Sequence, residues 1–306
     1  MKIAITTSSF AQFSAEPLSL LKEAGIEYTS NLLSRKLTEE ETINLLKECV
    51  GVAAGTESFT THVMDALPEL KVISRCGTGM DNVDLKAADE RGITVRNTPD
   101  GPTLAVAELT LSYALDLLRK VTQMDRELRA GVWKKRMGNI LKGKKLGIIG
   151  LGRIGQAVAS VFEPLGVEVA FNDPAVDSGI YKKMTVKDLL PWADILTLHC
   201  SKPDGECSLF TIEQLLTMKR GSWFINASRG GLVDEGVIYD LLKSGHLAGA
   251  AIDVFEQEPY DGPLKELNNV ILTPHIGSYA KESRIQMEID TIKNLIEELK
   301  ESVMSG

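Results

Sequence analysis

The sequence predicts an α/β protein built from two doubly wound parallel sheets with a cleft between them. Three observations carry this. Short β-branched or apolar runs alternate with helical patterns along nearly the whole chain. The strand candidates do not alternate in polarity, as strands covered on both faces do not. At 306 residues the chain has room for about two domains.

In order, strands are expected at Lys2–Thr6, Val50–Gly55, Lys71–Arg75 and Ile93–Val95, with helices at Pro17–Ala24 and Glu39–Lys47 between them. A long helix is expected over Thr103–Ala130, where neither Gly nor Pro interrupts and the first half is apolar around most of its circumference. A second series begins at "KKLGIIGLGRIG" (Lys144–Gly155). It continues with strands at Val167–Asp173, Asp194–His199, Ser222–Ser228, Ala248–Phe255 and Asn269–His275. The last helix, from about Tyr279 to Glu301, is expected to return to the first domain. The domains are then 1–100 plus 282–306, for substrate, and 101–281, for a dinucleotide.

Hydrophobic residues make up 43% of the chain and charged residues 25%, values of a soluble globular protein. The net charge of −8 argues against a nucleic-acid surface. There is no apolar stretch of membrane-spanning length and no signal-peptide pattern, so neither membrane nor export is expected and the location expected is cytoplasmic. The four cysteines (Cys49, Cys76, Cys200, Cys207) form no C-x-x-C pair and read as reduced thiols. The four histidines are scattered. No metal site is expected.

"GLGRIG" (Gly150–Gly155) follows a strand and opens a helix, and Asp173 ends the next strand. This is the context of a dinucleotide fingerprint in a Rossmann-like domain. Gly150 permits the tight turn, Gly152 lets backbone approach a pyrophosphate, and Gly155 lets helix and strand pack closely. Asp173 would accept from the adenosine ribose hydroxyls and repel a 2′-phosphate, which favours NAD over NADP. A glycine-rich turn without a ligand is the plain alternative.

Three later segments end strands of the same sheet. "INASRGGLVDE" places Arg229 at a carboxyl edge, where its fork of donors suits a carboxylate or keto acid. A surface pair with Asp234 or Glu235 is the alternative. "AIDVFEQEP" supplies Asp253, Glu256 and Glu258, or else a solvated acidic loop. "TPHIGS" supplies His275, which as a lone histidine could equally be structural. Together they would place an arginine, a carboxylate and an imidazole beside a nicotinamide. Oxidising a secondary alcohol needs hydride transfer and a base for the hydroxyl proton, and imidazole serves near neutral pH.

These segments, with "LTLHC", "MKRGSWFINASRGGLVDE" and "GHLAGAAIDVFEQEP", resemble the D-isomer-specific 2-hydroxyacid dehydrogenases over nearly the whole chain and in the family order. The resemblance implies Arg229, Glu258 and His275 as the catalytic set, with His275 as acid/base and Asp253 near the nicotinamide carboxamide. It implies cofactor contacts from Thr98, Arg153, Ile154, Asp173, Cys200, Ala227, Ser228, Gly277 and Ser278. It also implies a homodimer, with the long helix in the interface.

"SRCGTGMDNVD" (Ser74–Asp84) is not a second fingerprint, because Asn82 stands where a third glycine would. It reads as a substrate loop, or else a plain turn. Gly77, Thr78 and Gly79 would let backbone amides approach the substrate carboxylate. This segment and "GVWKKRMGNILKGKK" resemble family members that act on a phosphorylated acid. Arg75, Asn82 and one of Lys135 and Arg136 then become substrate contacts, and the partner is a small 2-hydroxy or 2-keto acid carrying a phosphate.

Two departures bear on the substrate: Ser201 and Lys202 after His199-Cys200, and Pro102 where asparagine is common. The chain ends soon after its final helix, so no regulatory C-terminal domain of the kind some members carry is expected. Two other functions fit the same sequence. One is the same chemistry on an unphosphorylated acid such as glyoxylate or hydroxypyruvate. The other is a dinucleotide-sensing, corepressor-like binding protein.

Overall fold

The computed structural model describes residues 1–202 and 208–304. Cys207 and most of the unusual "KPDGEC" stretch lie outside the described residues. The chain forms two compact units, Met1–Pro102 with Ser278–Gly306, and Thr103–Gly277.

The first unit holds five parallel strands: β1 (Lys2–Ile5), β2 (Glu27–Ser30), β3 (Gly51–Ala54), β4 (Val72–Arg75) and β5 (Thr94–Arg96), in the order β2-β1-β3-β4-β5. The crossover helices are α1 (Glu16–Glu23), α2 (Glu39–Leu46), α3 (Thr61–Asp65) and α4 (Leu85–Glu90). Side chains alternate across the sheet. Ile3 and Ile5 pack with Leu21 and with Ile292, Leu295 and Leu299 of the last helix, Lys281–Met304. Ala4 packs on the other face with Leu46, Val63 and Ala87. Helix α2 starts where it does because Thr38 and Glu41 form a reciprocal capping box. Strand β2 was not anticipated. "EYTS" is polar and pairs only with β1 at the sheet edge, so it carries no burial signal.

The second unit holds seven parallel strands: β6 (Lys145–Ile149), β7 (Glu168–Asn172), β8 (Lys182–Lys183), β9 (Ile195–Leu198), β10 (Ser222–Asn226), β11 (Leu247–Ile252) and β12 (Val270–Leu272). Their order is β12-β11-β10-β9-β6-β7-β8. The chain runs outward from β6 to β8, then restarts at β9 on the other side. The crevice at the carboxyl ends of β6 and β9 is therefore a topological switch point, where open α/β sheets bind ligands. Helices α5 (Thr103–Arg119), α6 (Val121–Arg129) and α7 (Arg153–Phe162) belong to this unit, with α8 (Val186–Trp192), α9 (Ile212–Leu216) and α10 (Glu235–Lys243). Helices α5 and α7 cover one face of the sheet, α8 and α10 the other. The last helix of the chain is α11.

The single helix expected over 103–130 is two helices. Lys120 adopts a left-handed conformation, φ 56° and ψ 38°. The Asp116 carboxylate accepts from the Thr122 N–H at 2.8 Å and from its hydroxyl, and so caps α6 from within α5. Side-chain capping competes with the helix ladder here, and periodicity does not report that competition. No helix among the described residues is long and apolar enough to cross a membrane.

Candidate active site

The fingerprint sits at the switch point. Gly150 has φ +90°, and a Cβ there would lie 2.6 Å from the His199 carbonyl oxygen. A Cβ on Gly155 would lie 2.1 Å from the Gly150 oxygen, so only glycine fits. A Cβ on Gly152 would meet nothing within 4 Å. Gly152 is the N-cap of α7, which opens with Arg153 and Ile154, and it makes no side-chain capping hydrogen bond. Asp173 follows β7 and accepts from the Leu151 N–H at 2.8 Å, and from Ala175 and Val176 at 2.8 and 3.0 Å. Burial works to raise its carboxyl, but these backbone donors outweigh it and hold the group below the usual range. The cradle fits a dinucleotide: an uncapped helix end for the pyrophosphate and an ionised Asp173 for the ribose.

Strand β10 delivers Arg229. Asn226 folds the turn after it, accepting from the Ser228 N–H at 3.1 Å and donating to the Arg229 carbonyl at 2.9 Å. The Ser228 hydroxyl donates to the Cys200 carbonyl at the end of β9. Ala227 is buried beneath the turn. A Cβ on Gly230 would lie 1.9 Å from the Phe255 oxygen, so this turn is pressed onto the loop after β11. Asp234 and Glu235 have other duties. Asp234 caps α10, and Glu235 accepts from the Glu256 N–H at 2.8 Å.

The structure sorts the three acids of "AIDVFEQEP". Glu258 Oε2 lies 3.0 Å from His275 Nδ1, with side chains 39% and 45% exposed, open enough for a reactant to reach the ring. Asp253 is fully buried. One of its oxygens accepts from the Ile276 N–H at 2.8 Å and from the hydroxyls of Thr273 and Tyr113. The other accepts from the Gly277 N–H at 2.8 Å. Burial is the main influence pushing the Tyr113 phenol upward, so it stays a donor. His275 itself has φ +55°, rare for a residue with a Cβ. The Asp253 carbonyl also accepts from the His275 N–H at 2.9 Å. Asp253 therefore sets the turn that aims His275, a task its expected place near the carboxamide did not include.

His199 is a different kind of histidine. Burial pushes its imidazole down to about 3. Its Nε2 lies 2.9 Å from the Thr197 hydroxyl, and it stays neutral at ordinary pH. Burial likewise pushes the neighbouring Cys200 thiol up to about 11, so it is no nucleophile.

In the loop after β4 the expected substrate residues have partners within the protein. Arg75 is 7% exposed, and it donates through Nε to the Gly79 carbonyl at 3.2 Å and through Nη1 to the Ala54 carbonyl at 3.3 Å. The Gly77 N–H, expected to approach a substrate carboxylate, is given to the Thr98 hydroxyl at 2.9 Å. Thr98, expected at the cofactor, is buried and also donates its N–H to the Gly77 carbonyl at 3.0 Å. The Asn82 amide donates to the Glu57 carbonyl. These bonds hold the backbone of the loop in shape. Arg136 is paired with Glu127 through Nε at 2.8 Å, whereas Lys135 is exposed. Ser278, expected to touch the cofactor, opens the segment that leads into α11.

Sequence reasoning missed Asn226, Tyr113 and Thr273, which hold the turns that carry Arg229 and His275. Only the Arg-Gly-Gly doublet signalled the close approach at Gly230.

Residues 111–277 match the family described as D-isomer specific 2-hydroxyacid dehydrogenase, NAD binding domain. The D-3-phosphoglycerate dehydrogenase of Homo sapiens is 34% identical over 296 residues, 94% of this chain and 55% of that protein. The enzyme of the same name from Methanocaldococcus jannaschii is 38% identical over 281 residues, 88% of this chain and 52% of that one. The chain thus spans about half the length of the curated relatives it matches. The crystal structure of the TT0316 protein from Thermus thermophilus superposes with a TM-score of 0.90 at 34% identity, covering 98% of this chain and 97% of that one. With its NAD-binding domain and its His275–Glu258 pair, the chain belongs to the D-isomer specific 2-hydroxyacid dehydrogenases.

Proposed function

We propose that this protein oxidises D-3-phosphoglycerate to 3-phosphohydroxypyruvate with NAD, the entry step of serine synthesis. The observation that carries the chemistry is the exposed His275–Glu258 pair, 3.0 Å apart, on the turn held by Asp253. When bound, NAD takes the hydride that leaves C2 of the hydroxy acid. The Glu258 carboxylate fixes a proton on His275 Nδ1, so Nε2 accepts the proton of the C2 hydroxyl. Glu258 then offsets the charge of the imidazolium. Arg229 pairs with the substrate carboxylate and, in the reverse direction, polarises the ketone. Arg75 serves the substrate through the loop it holds in shape. The names of the curated relatives support the phosphorylated substrate.

One observation favours a second reading, an unphosphorylated acid such as hydroxypyruvate or glyoxylate. Two of the cations assigned to the phosphate, Arg75 and Arg136, already hold carbonyls or a carboxylate. NADH oxidation separates the two readings. For the first, kcat/KM with 3-phosphohydroxypyruvate is expected to exceed that with hydroxypyruvate by at least about tenfold, roughly one charge-assisted hydrogen bond. Equal or reversed values would sink it.

The working form proposed is a homodimer in the cytoplasm. Trp133 and Met137, in the segment after α6, are 83% and 90% exposed, and Ile140 and Val121 are exposed with them. So much apolar surface on one stretch fits a face covered by a second copy. Sedimentation is expected to give a dimer for the wild type and a monomer for Trp133→Asp with Met137→Asp. A monomeric wild type would remove the proposal.

A further inference from the structure

Seven buried side-chain N or O atoms lack a hydrogen-bond partner among the described residues, and four of them belong to the first unit. Thr7 Oγ1 and Ser9 Oγ follow β1, Thr78 Oγ1 follows β4, and Arg284 Nη2 comes from the first turn of α11. The strands are parallel, so the β1 and β4 loops share the carboxyl edge of the first sheet. Arg284 is tied to that edge. Its Nε donates to Glu288 at 2.8 Å, and the other Glu288 oxygen accepts from the Ala11 N–H of the β1 loop at 2.9 Å. Strand β4 is tied to α11 as well, since the Ser74 hydroxyl donates to the Thr291 carbonyl at 2.9 Å. Thr7 adjoins β3, since a Cβ on Gly55 would lie 3.3 Å from its Cα.

Arg284 is 6% exposed and Glu288 1%. A guanidinium buried that far normally satisfies all its N–H groups, because each one left unmade is costly. Here Glu288 takes the Nε side and nothing among the described residues takes Nη2. Three hydroxyls on the loops after β1 and β4 also lack partners among the described residues. What this edge lacks is an acceptor, and one with several oxygens.

We propose that Arg284, with the hydroxyls of Ser9 and Thr78, binds a second anionic group of the substrate at the carboxyl edge of the first sheet. This rests on the function proposed above and assigns its second anionic site to α11. The chemistry recognised is a cluster of anionic oxygens, supplied by a phosphate or by a second carboxylate.

The test is NADH oxidation by the wild type and by Arg284→Met with 3-phosphohydroxypyruvate, oxaloacetate and hydroxypyruvate, with thermal melting of both proteins. The expected result is a fall of about 10- to 100-fold in the ratio of kcat/KM for a doubly charged substrate over hydroxypyruvate, the loss of one charged hydrogen bond. Arg284→Lys should restore part of it. A fall confined to 3-phosphohydroxypyruvate assigns the group as phosphate, and one confined to oxaloacetate assigns it as carboxylate. A ratio within about twofold of wild type, or a parallel loss for all three substrates, overturns the proposal. So does a wild type that prefers hydroxypyruvate to both doubly charged acids, although the dehydrogenase chemistry would then stand. If Arg284→Met does not fold, Ser9→Ala and Thr78→Val are read the same way, and unchanged ratios overturn it. A wild type that turns over none of the three refutes the proposed function instead. Calorimetry of 3-phosphoglycerate with the NAD-loaded protein then decides this site: binding weakened by Arg284→Met supports it, and no binding overturns it.

Discussion

His275→Ala is expected to lower kcat by about 100- to 10,000-fold, the usual worth of a positioned general base. KM should change much less, because the imidazole handles a proton and does not anchor the substrate. Of the two histidines that follow strands of the second sheet, His199 is kept neutral by burial, while His275 is exposed and faces Glu258. NAD binding should survive, since the fingerprint and Asp173 are untouched, and titration of protein fluorescence with NADH checks that. Single-turnover hydride transfer separates chemistry from product release. A variant that keeps more than about a tenth of wild-type kcat would remove His275 as the acid/base.

The second large effect is expected from Asp253→Asn, a change of one atom in a fully buried side chain. Among the described residues Asp253 accepts from four donors, the Ile276 and Gly277 N–H groups and the Thr273 and Tyr113 hydroxyls. A carboxylate suits that ring because both oxygens accept. An amide must turn its NH2 toward one set, and either choice puts donor against donor. The expected cost is about 1–3 kcal/mol of stability, the penalty for a buried donor left unmade. Activity should fall further than stability explains. The left-handed His275 backbone is retained only while its surroundings hold it, and the Ile276 and Gly277 bonds do that. Urea denaturation and kcat, measured on the same protein, test both parts. If Asp253→Asn folds and keeps its kcat unchanged, the turn needs no carboxylate.

The two predictions divide the site into a residue that reacts and a residue that aims it. Sequence reading treats these unequally. His275 was visible from its place after a strand and from the family order around it. Asp253 was visible as an acid, but its duty was not, since that is set by Thr273, Ile276 and Gly277 around the next strand end and by Tyr113 of α5.

What the sequence by itself determined is the local and the periodic. The apolar strands, the fingerprint with Asp173, and the ends of β10, β11 and β12 follow from short-range signals, because a strand buried on both faces must be apolar and a turn that admits only glycine must contain it. The polar edge strands β2 and β8 left no such mark, and the break at Lys120 needed a capping side chain that periodicity ignores. What only the tertiary structure decided is which partner each polar group takes. It chose Glu258 for His275, engaged Arg75, Asn82 and Thr98 with backbone groups of the first unit, and left Arg284 with a donor unspent among the described residues. The physical reason is that a hydrogen bond depends on a few tenths of an ångström between residues far apart in the chain. Residue type and spacing supply candidates for such a bond, and packing selects among them.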